Sequence, residues 1–359
     1  MLRRTFLAGA AAVMAVTVTA GPSSAQDEPL TVGFIYVGPH NDGGYSERHD
    51  VGRQDVEAYF GDRVRTVYAE SVPEGPDAEQ AIEQMVREGA DIVFATSFGF
   101  MNATAAVAER YPDVKFEHAT GYLRADNLAT YNARFYEGRY VLGQIAAEMS
   151  EVGVAGYIGS FPIPEVIMGI NAFMLGAQSV NPDFQVRIVW VNTWVDPARE
   201  ADAANALFDQ GVDVIAQHTD SPAALQVAEM RMLHGFGQST DMIRFAPNAQ
   251  YTSIVDNWGP YYIERVQEVL DGTWTSTDVW GGIADGFVEM APYTNMPEDV
   301  AARAEATEQA IASGELQIFA GPIYDQTGAL RIPEGEVISD PDLLGMNWYI
   351  QGIDDTLPQ

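Results

Sequence analysis

Cysteine is absent from the 359-residue chain, and lysine occurs only once, at Lys115. Without cysteine the protein can have no disulfide, no thiol nucleophile and no cysteine-ligated metal site. It also lacks the N-terminal cysteine that carries a lipid, so we expect a mature protein without a lipid anchor. Acidic residues number 51 against 19 basic ones, for a formal net charge of −32. Such a chain repels phosphates, which argues against nucleic-acid binding.

Long apolar runs are also missing after the N-terminus, since no later segment approaches the ~18 consecutive apolar residues of a membrane span. Residues 1–25 have the features of a cleavable signal peptide: Arg3-Arg4, an apolar stretch from 8 to 18, and small residues up to Ala25. The arginine pair resembles a twin-arginine signal, but ordinary signals often carry two arginines, so the export route stays open. We expect a periplasmic protein.

The acid-rich, lysine-poor composition leaves two explanations open. It is typical of surfaces that stay hydrated at high salt, and a saline habitat would account for it. A bias in genomic base composition could equally favour arginine over lysine. Neither explanation bears on the fold.

After the signal, strand and helix patterns alternate along the chain. Continuous β-favouring runs at 30–37, 65–68 and 90–95 predict strands buried in a parallel sheet. Helical patterns separate them, one ending near Phe60 and one over 77–87. This alternation predicts a doubly wound α/β sheet.

The chain then repeats this organisation. Residues 83–109 match residues 205–229: in both, a helix ends at a glycine, a strand and a polar or aromatic loop follow, and a helix closes on Val-Ala-Glu. A second strand and helix series begins at Tyr157-Ile158-Gly159 and the helix after Pro164. The remaining ~330 residues are also more than a single hydrophobic core usually supports. We therefore expect two α/β lobes, each with its own sheet and joined by a hinge.

Ligands of open α/β sheets bind beyond the carboxyl ends of the strands, which directs attention to the loops there. These are residues 38–49, 96–102, 160–166, 192–196, 218–222 and 238–242. Aromatic rings together with a few carboxylates suit a flat, uncharged, nitrogen-rich ligand. Of His218 and Asp220, at one strand end, we expect only Asp220 to face the ligand. The candidate side chains in these loops are Tyr45, His49, Phe98, Trp194, Asp220 and Asp241.

No catalytic or metal motif accompanies these loops. The five histidines show no metal-ligand spacing, and the nucleophile-elbow, zinc-protease and phosphate-loop motifs are absent. His118 ends a predicted strand and is expected to be packed. Trp258 follows the predicted strand 252–256, where the chain is expected to cross between lobes. We expect no enzyme and no cofactor.

Five segments together carry a resemblance to a known family. They are Asn41–Tyr45, Pro112–Phe116, Asn132–Gly138, Asp209–Ile215 and Gly237–Asp241. In their order and spacing the chain resembles, over residues 29–356, the basic membrane protein family of ABC-transporter substrate-binding proteins. That family is related to the purine nucleoside-binding lipoproteins.

The resemblance implies a type I periplasmic binding protein fold, with three crossovers at the hinge and closure around a purine. It implies a first lobe of residues 27–135 plus about 253–280, and a second of 136–252 plus about 281–359. Tyr45 takes the place of the family's stacking aromatic, Phe98 forms a wall, and Asp241 is the acid after a second-lobe strand. The full predicted ligand set is Asn41, Asp42, Tyr45, His49, Phe98, Asn132, Trp194, Asp220, Asp241, Asp256 and Trp258.

Two departures from the family pattern refine this prediction. The stretch that resembles the family's ribose-binding segment, Gly282–Gly286, has no lysine, so a nucleobase is favoured over a nucleoside. The lipid-bearing cysteine is missing, which fits a periplasmic receptor. We expect a monomer that captures a purine-type ligand and delivers it to an ABC permease. A sensory receptor remains an alternative, as does a hydrolase, which would need a positioned nucleophile or a metal-activated water.

Overall fold

Residues 28–358 are described by a computed structural model, and the predicted signal peptide lies outside them. Two six-stranded sheets dominate this part of the chain. The first sheet has the order β11-β5-β4-β3-β1-β2, and all its neighbouring strands are parallel. Its strands are β1 (Leu30–Ile35), β2 (Val64–Ala69), β3 (Ile92–Ala95), β4 (Lys115–Ala119), β5 (Leu128–Ala133) and β11 (Asp278–Gly281).

The second sheet repeats the same arrangement in the order β12-β10-β9-β8-β6-β7. Only its edge pair, β10 with β12, is antiparallel. The internal repeat seen in the sequence thus corresponds to the third strand of each sheet with its flanking helices. The strands are β6 (Val154–Gly159), β7 (Gln185–Trp190), β8 (Val214–His218), β9 (His234–Gly237), β10 (Gln250–Asp256) and β12 (Val288–Met290).

Helices cover both faces of each sheet, and the central strands are almost completely buried. The first sheet carries α1 (Tyr45–Phe60), α2 (Pro76–Arg87), α3 (Met101–Arg110) and α8 (Gly259–Asp271). The second carries α4 (Phe135–Met149), α5 (Pro164–Val180), α6 (Pro197–Asp209), α7 (Ala223–Arg231) and α9 (Glu298–Ala312). A small hairpin, β13 (Ile323–Tyr324) and β14 (Leu330–Ile332), and α10 (Asp340–Leu344) complete the described chain. The predicted α/β class with two doubly wound lobes is confirmed.

Glycine ends the helix before the third strand in each lobe. Gly89 and Gly211 have φ values of +98° and +89°, in the left-handed region that favours glycine. Each therefore turns the chain from a helix directly into a buried strand. Among residues 28–358, no helix combines the length and the apolar character needed to cross a membrane.

Three segments connect the two sheets: the chain passes from β5 to α4, from β10 to α8, and from β11 to β12. The predicted return to the first lobe near residue 253 falls inside β10, which pairs with β9 and runs to Asp256. The boundary therefore lies after Asp256, because β10 is the fifth strand of its sheet, equivalent to β5. From Gly259 onward, α8 packs against α1 of the first lobe.

Candidate functional site

A pocket lies between the lobes, beyond the carboxyl ends of the parallel strands of both sheets. This is the position expected for a small-molecule site in an open α/β fold. Both lobes contribute to it, and Phe135, the first residue of α4, lies where they join. The lining residues are Val37, Tyr45, Ser97, Phe98, Thr120, Phe135, Glu165, Trp194, His218, Asp220 and Gln238.

Aromatic side chains from both lobes form the walls of the pocket. Tyr45 begins α1 and meets the His49 ring edge-on, with the ring centroids 4.4 Å apart. Trp194 lies opposite on the second lobe and packs against Phe161, with the centroids 5.1 Å apart. Phe98 begins a short 3-10 turn after β3. Tyr45, Phe98 and Trp194 therefore line the pocket, as the sequence predicted.

Three buried carboxyl groups lie in or beside the pocket. Glu165 Oε2, Asp220 Oδ2 and both carboxylate oxygens of Asp256 are buried without a hydrogen-bond partner among the described residues. Burial raises the pKa of Glu165 to about 7 and that of Asp256 to about 7. Burial also raises the pKa of Asp220 well above its ordinary value. These groups are available to accept hydrogen bonds from a ligand.

Two histidines stand next to these groups and are held neutral. His49 Nδ1 lies 2.5 Å from the Tyr262 hydroxyl, and its ring stacks on Trp258 with the centroids 4.9 Å apart. His218 Nε2 lies 3.6 Å from Glu165 Oε1. Burial lowers the pKa of both histidines well below the ordinary value.

His218 lines the pocket together with Asp220, so the prediction that only one of them would face it is wrong. β8 ends at His218, and residues two apart in extended chain lie on the same side.

Several predicted ligand residues have other roles in the structure. The Asp42 carboxylate accepts the backbone N–H groups of Gly44, Ser46 and Glu47 at 2.8–3.0 Å, and so caps α1. Asp241 Oδ1 accepts from Ile243 N at 3.1 Å and from the Gln250 amide at 2.7 Å. Neither carboxylate is among those that line the pocket.

The remaining predicted residues lie near the pocket or away from it. Asn41 is exposed. Asn132 accepts from Ala133 N at 2.7 Å and stands near Glu165. His49 and Trp258 are fully buried and do not line the pocket themselves. They support the Tyr45 wall from behind, through the contact of Tyr45 with His49 and the stack of His49 on Trp258.

The sequence analysis missed Glu165 and Gln238, which line the pocket, although both lie in the loops it singled out. Glu165 follows Pro164 at the start of α5, where an acid at a helix N-terminus has an ordinary capping explanation. Gln238 lies within the motif Gly237–Asp241, in which only Asp241 was predicted to bind the ligand. Both could have been found by considering every polar side chain at a strand end.

Several contacts join the two lobes at the loop that precedes α1. Arg244 of the second lobe forms an ion pair with Glu47 of α1 at 2.6 Å. The Thr240 hydroxyl donates to the Gly43 carbonyl at 2.6 Å. A side chain on Gly44 would place its Cβ 2.0 Å from the Asp220 carbonyl oxygen. The two lobes therefore approach so closely at the first loop that only glycine fits there.

Within residues 28–358 no group of three or more histidine, acidic or cysteine side chains is arranged to hold a metal ion. The site consists of aromatic walls, buried carboxyl groups and neutral histidines between two lobes. These features define the class of two-lobed solute-binding proteins, which close on a small molecule.

Comparisons with known proteins agree with this class. The family model for "ABC transporter substrate-binding protein PnrA-like" matches residues 30–321. A purine-binding protein of Brucella abortus is 58% identical over 94% of this chain and 97% of its own length. A putative ABC transporter glucose-binding protein of Haloferax volcanii is 36% identical over 96% of this chain and 85% of its own.

Among solved structures, a solute-binding protein of an ABC transporter system from Aeropyrum pernix shares the fold. It has a TM-score of 0.70 and 19% identity, over 83% of this chain and 93% of its own. The chain belongs to the PnrA-like family of ABC transporter substrate-binding proteins. The resemblance drawn from its motifs is confirmed, and its relatives and fold are those of substrate-binding proteins rather than enzymes.

Proposed function

We propose that this protein is the periplasmic receptor of an ABC importer and captures a purine, with a free nucleobase preferred over a nucleoside. The observation that carries the proposal is a pocket with aromatic walls in which two buried carboxyl oxygens, Glu165 Oε2 and Asp220 Oδ2, have no hydrogen-bond partner among residues 28–358. A flat base stacks on the walls, and its N–H groups donate charge-assisted hydrogen bonds to the carboxylates. The 58% identical relative is named a purine-binding protein, which supports this ligand class.

The preference for a base over a nucleoside rests on the segment Gly282–Gly286. Its backbone is tied into a turn, because Gly282 N donates to Asp285 Oδ2 at 2.9 Å and Ile283 N to Glu137 Oε2 at 2.7 Å. No residue of this segment lines the pocket. A ribose would therefore find no partner there.

We also propose the oligomeric state of the protein and its partner in the membrane. The receptor acts as a monomer without a lipid anchor and delivers its ligand to a permease in the inner membrane. Neither a cofactor nor nucleic acid takes part. Uptake of labelled adenine by cells with and without this gene distinguishes transport from sensing, because a purely sensory receptor would leave uptake unchanged.

Calorimetric titration with adenine, guanine, hypoxanthine, adenosine and glucose tests the ligand. Asp220→Asn should weaken base binding by about 1.5–3 kcal/mol, because an amide replaces an anionic acceptor. Asp241→Asn is the matched control and should leave affinity nearly unchanged, because Asp241 bonds to Ile243 N and the Gln250 amide and does not line the pocket. Tight glucose binding without a response to any purine would overturn the proposal.

A further inference from the structure

Arg139 is a fully buried arginine without an acidic partner. It lies on α4, and no carboxylate of the described residues comes within ion-pair distance of it. Its guanidinium instead donates to the Gln217 carbonyl at 2.8 Å and to the side-chain oxygen of Gln238. It also lies over the Tyr157 ring, 5.7 Å from the centroid. Glu165 and Asp256 act on this charge only from beyond ion-pair distance, and its hydrogen bonds go to neutral groups. Burying such a charge is costly, which calls for a reason for its position.

The contact with Arg139 determines the orientation of the Gln238 side-chain amide. Arginine has donors only, so the Gln238 atom that faces it must be the carbonyl oxygen. The amide nitrogen is therefore directed away from Arg139. One of its hydrogens reaches the Ser239 hydroxyl, with the two heavy atoms 3.1 Å apart. The second amide hydrogen of Gln238 remains to donate to a ligand, because Gln238 lines the pocket.

We propose that Arg139 is a positioning residue that holds Gln238 as a hydrogen-bond donor to the ligand. The other polar groups that line the pocket are carboxyl groups, hydroxyls, a histidine and the indole N–H of Trp194, which donates to Glu74. The Gln238 amide therefore adds a donor whose direction is fixed. A ligand must present an acceptor at this point, such as an unprotonated ring nitrogen of a purine. The inference rests on the proposed function, since it assigns a role within the same site.

A set of adenine analogues tests this role. Adenine has three ring nitrogens, N1, N3 and N7, that only accept, and each deaza analogue replaces one of them with C–H. In the wild-type protein, one of the three analogues should bind about five- to tenfold more weakly for loss of the Gln238 hydrogen bond. In Gln238→Met, which has no donor, that particular penalty should disappear.

The positioning role of Arg139 is tested by the same measurement, the loss of affinity of that deaza analogue relative to adenine. Arg139→Met frees the amide to rotate, so the penalty for that analogue should shrink, whereas Arg139→Lys keeps a donor facing Gln238 and should restore it. A merely structural role would weaken every analogue by the same factor and leave the penalty intact. Arg265→Met is the control, because it removes another buried arginine, one paired with Glu117 at 2.6 Å in the first lobe. It should not change the penalty.

A further variant covers the case in which Arg139→Met does not fold. Gln238→Glu gives Arg139 a carboxylate partner and removes the donor, so it should fold well and lose the penalty. An unchanged penalty in Gln238→Glu and Gln238→Met would overturn the inference while leaving purine binding in place. If guanine or hypoxanthine binds in place of adenine, the deaza analogues of that base are used. Failure of wild-type protein to bind any of the three bases would overturn the proposed function, and this role with it.

Discussion

Binding of a purine should release protons from the pocket. Glu165 and Asp256 have pKa values of about 7 because burial disfavours their charged forms. Each is close to half protonated at neutral pH in the free protein. A ligand N–H that donates to one of these groups favours the carboxylate and lowers its pKa, so the proton leaves on binding.

The size of the pH effect on affinity follows from the shift in the pKa of Glu165 on binding. If the pKa of Glu165 falls from about 7 in the free protein to below about 5 in the complex, affinity should rise about tenfold between pH 6 and pH 8. The ligand used must not titrate in this range. Arg139 attracts the charged form from α4, and His218 on β8 lies 3.6 Å away but is held neutral by burial.

Calorimetry at pH 6, 7 and 8, in buffers of different ionisation enthalpy, measures both the affinity and the number of protons released. Glu165→Gln cannot ionise, so the part of the pH dependence that it causes should vanish in this variant. Affinity that falls as pH rises would refute the reasoning, because the carboxyl groups would then be donating to the ligand in their protonated form.

The same groups affect stability in the opposite direction. Between about pH 5 and pH 8 the folded protein holds protons on Glu165 and Asp256 that the unfolded chain has already released. Their contribution to the free energy of unfolding therefore falls as pH rises through this range. Denaturant titrations without ligand should show this fall, and it should be smaller in Glu165→Gln. An identical pH dependence in this variant would contradict the account.

Other predictions concern the walls and the closed state. Tyr45→Ala should weaken purine binding by roughly 1–3 kcal/mol, extrapolating from stacking of bases on aromatic side chains. Tyr59→Ala, on the exposed side of the same helix, should leave titrations unchanged, and equal effects would place Tyr45 outside the site. Gly44→Ala should reduce affinity through the fraction of closed protein, because the new methyl group meets the Asp220 carbonyl. Its melting temperature without ligand should change little, and unchanged affinity would show that closure does not need this approach.

Much of the fold could be predicted from the sequence, because strand and helix patterns and the repeat are local. The strand predicted over 65–68 is β2, and the helix predicted over 77–87 is α2, each to within a residue or so. The predicted lobe boundary, at about residue 253, falls inside β10, since a strand pattern has the same appearance in either sheet. Which sheet it joins depends on pairing between distant residues.

The aromatic part of the site could also be predicted, while its polar part was only partly found. Tyr45 and Trp194 are large rings in loops at strand ends, and few other roles suit them. Acids are harder to assign, because Asp42 and Asp241 use their oxygens on nearby backbone and side-chain groups, whereas Glu165 Oε2 has no partner among the described residues. Composition and spacing cannot show which oxygens have a partner, because that depends on the folded neighbourhood.

The central claim, that the pocket takes a free purine base, is tested most directly by native mass spectrometry. The protein is mixed with equimolar adenine, guanine, hypoxanthine, adenosine and glucose, and the mass of the complex identifies the ligand that binds best. The account predicts a complex with one of the three bases. A complex with glucose or adenosine in preference to every base, or no complex at all, would contradict it.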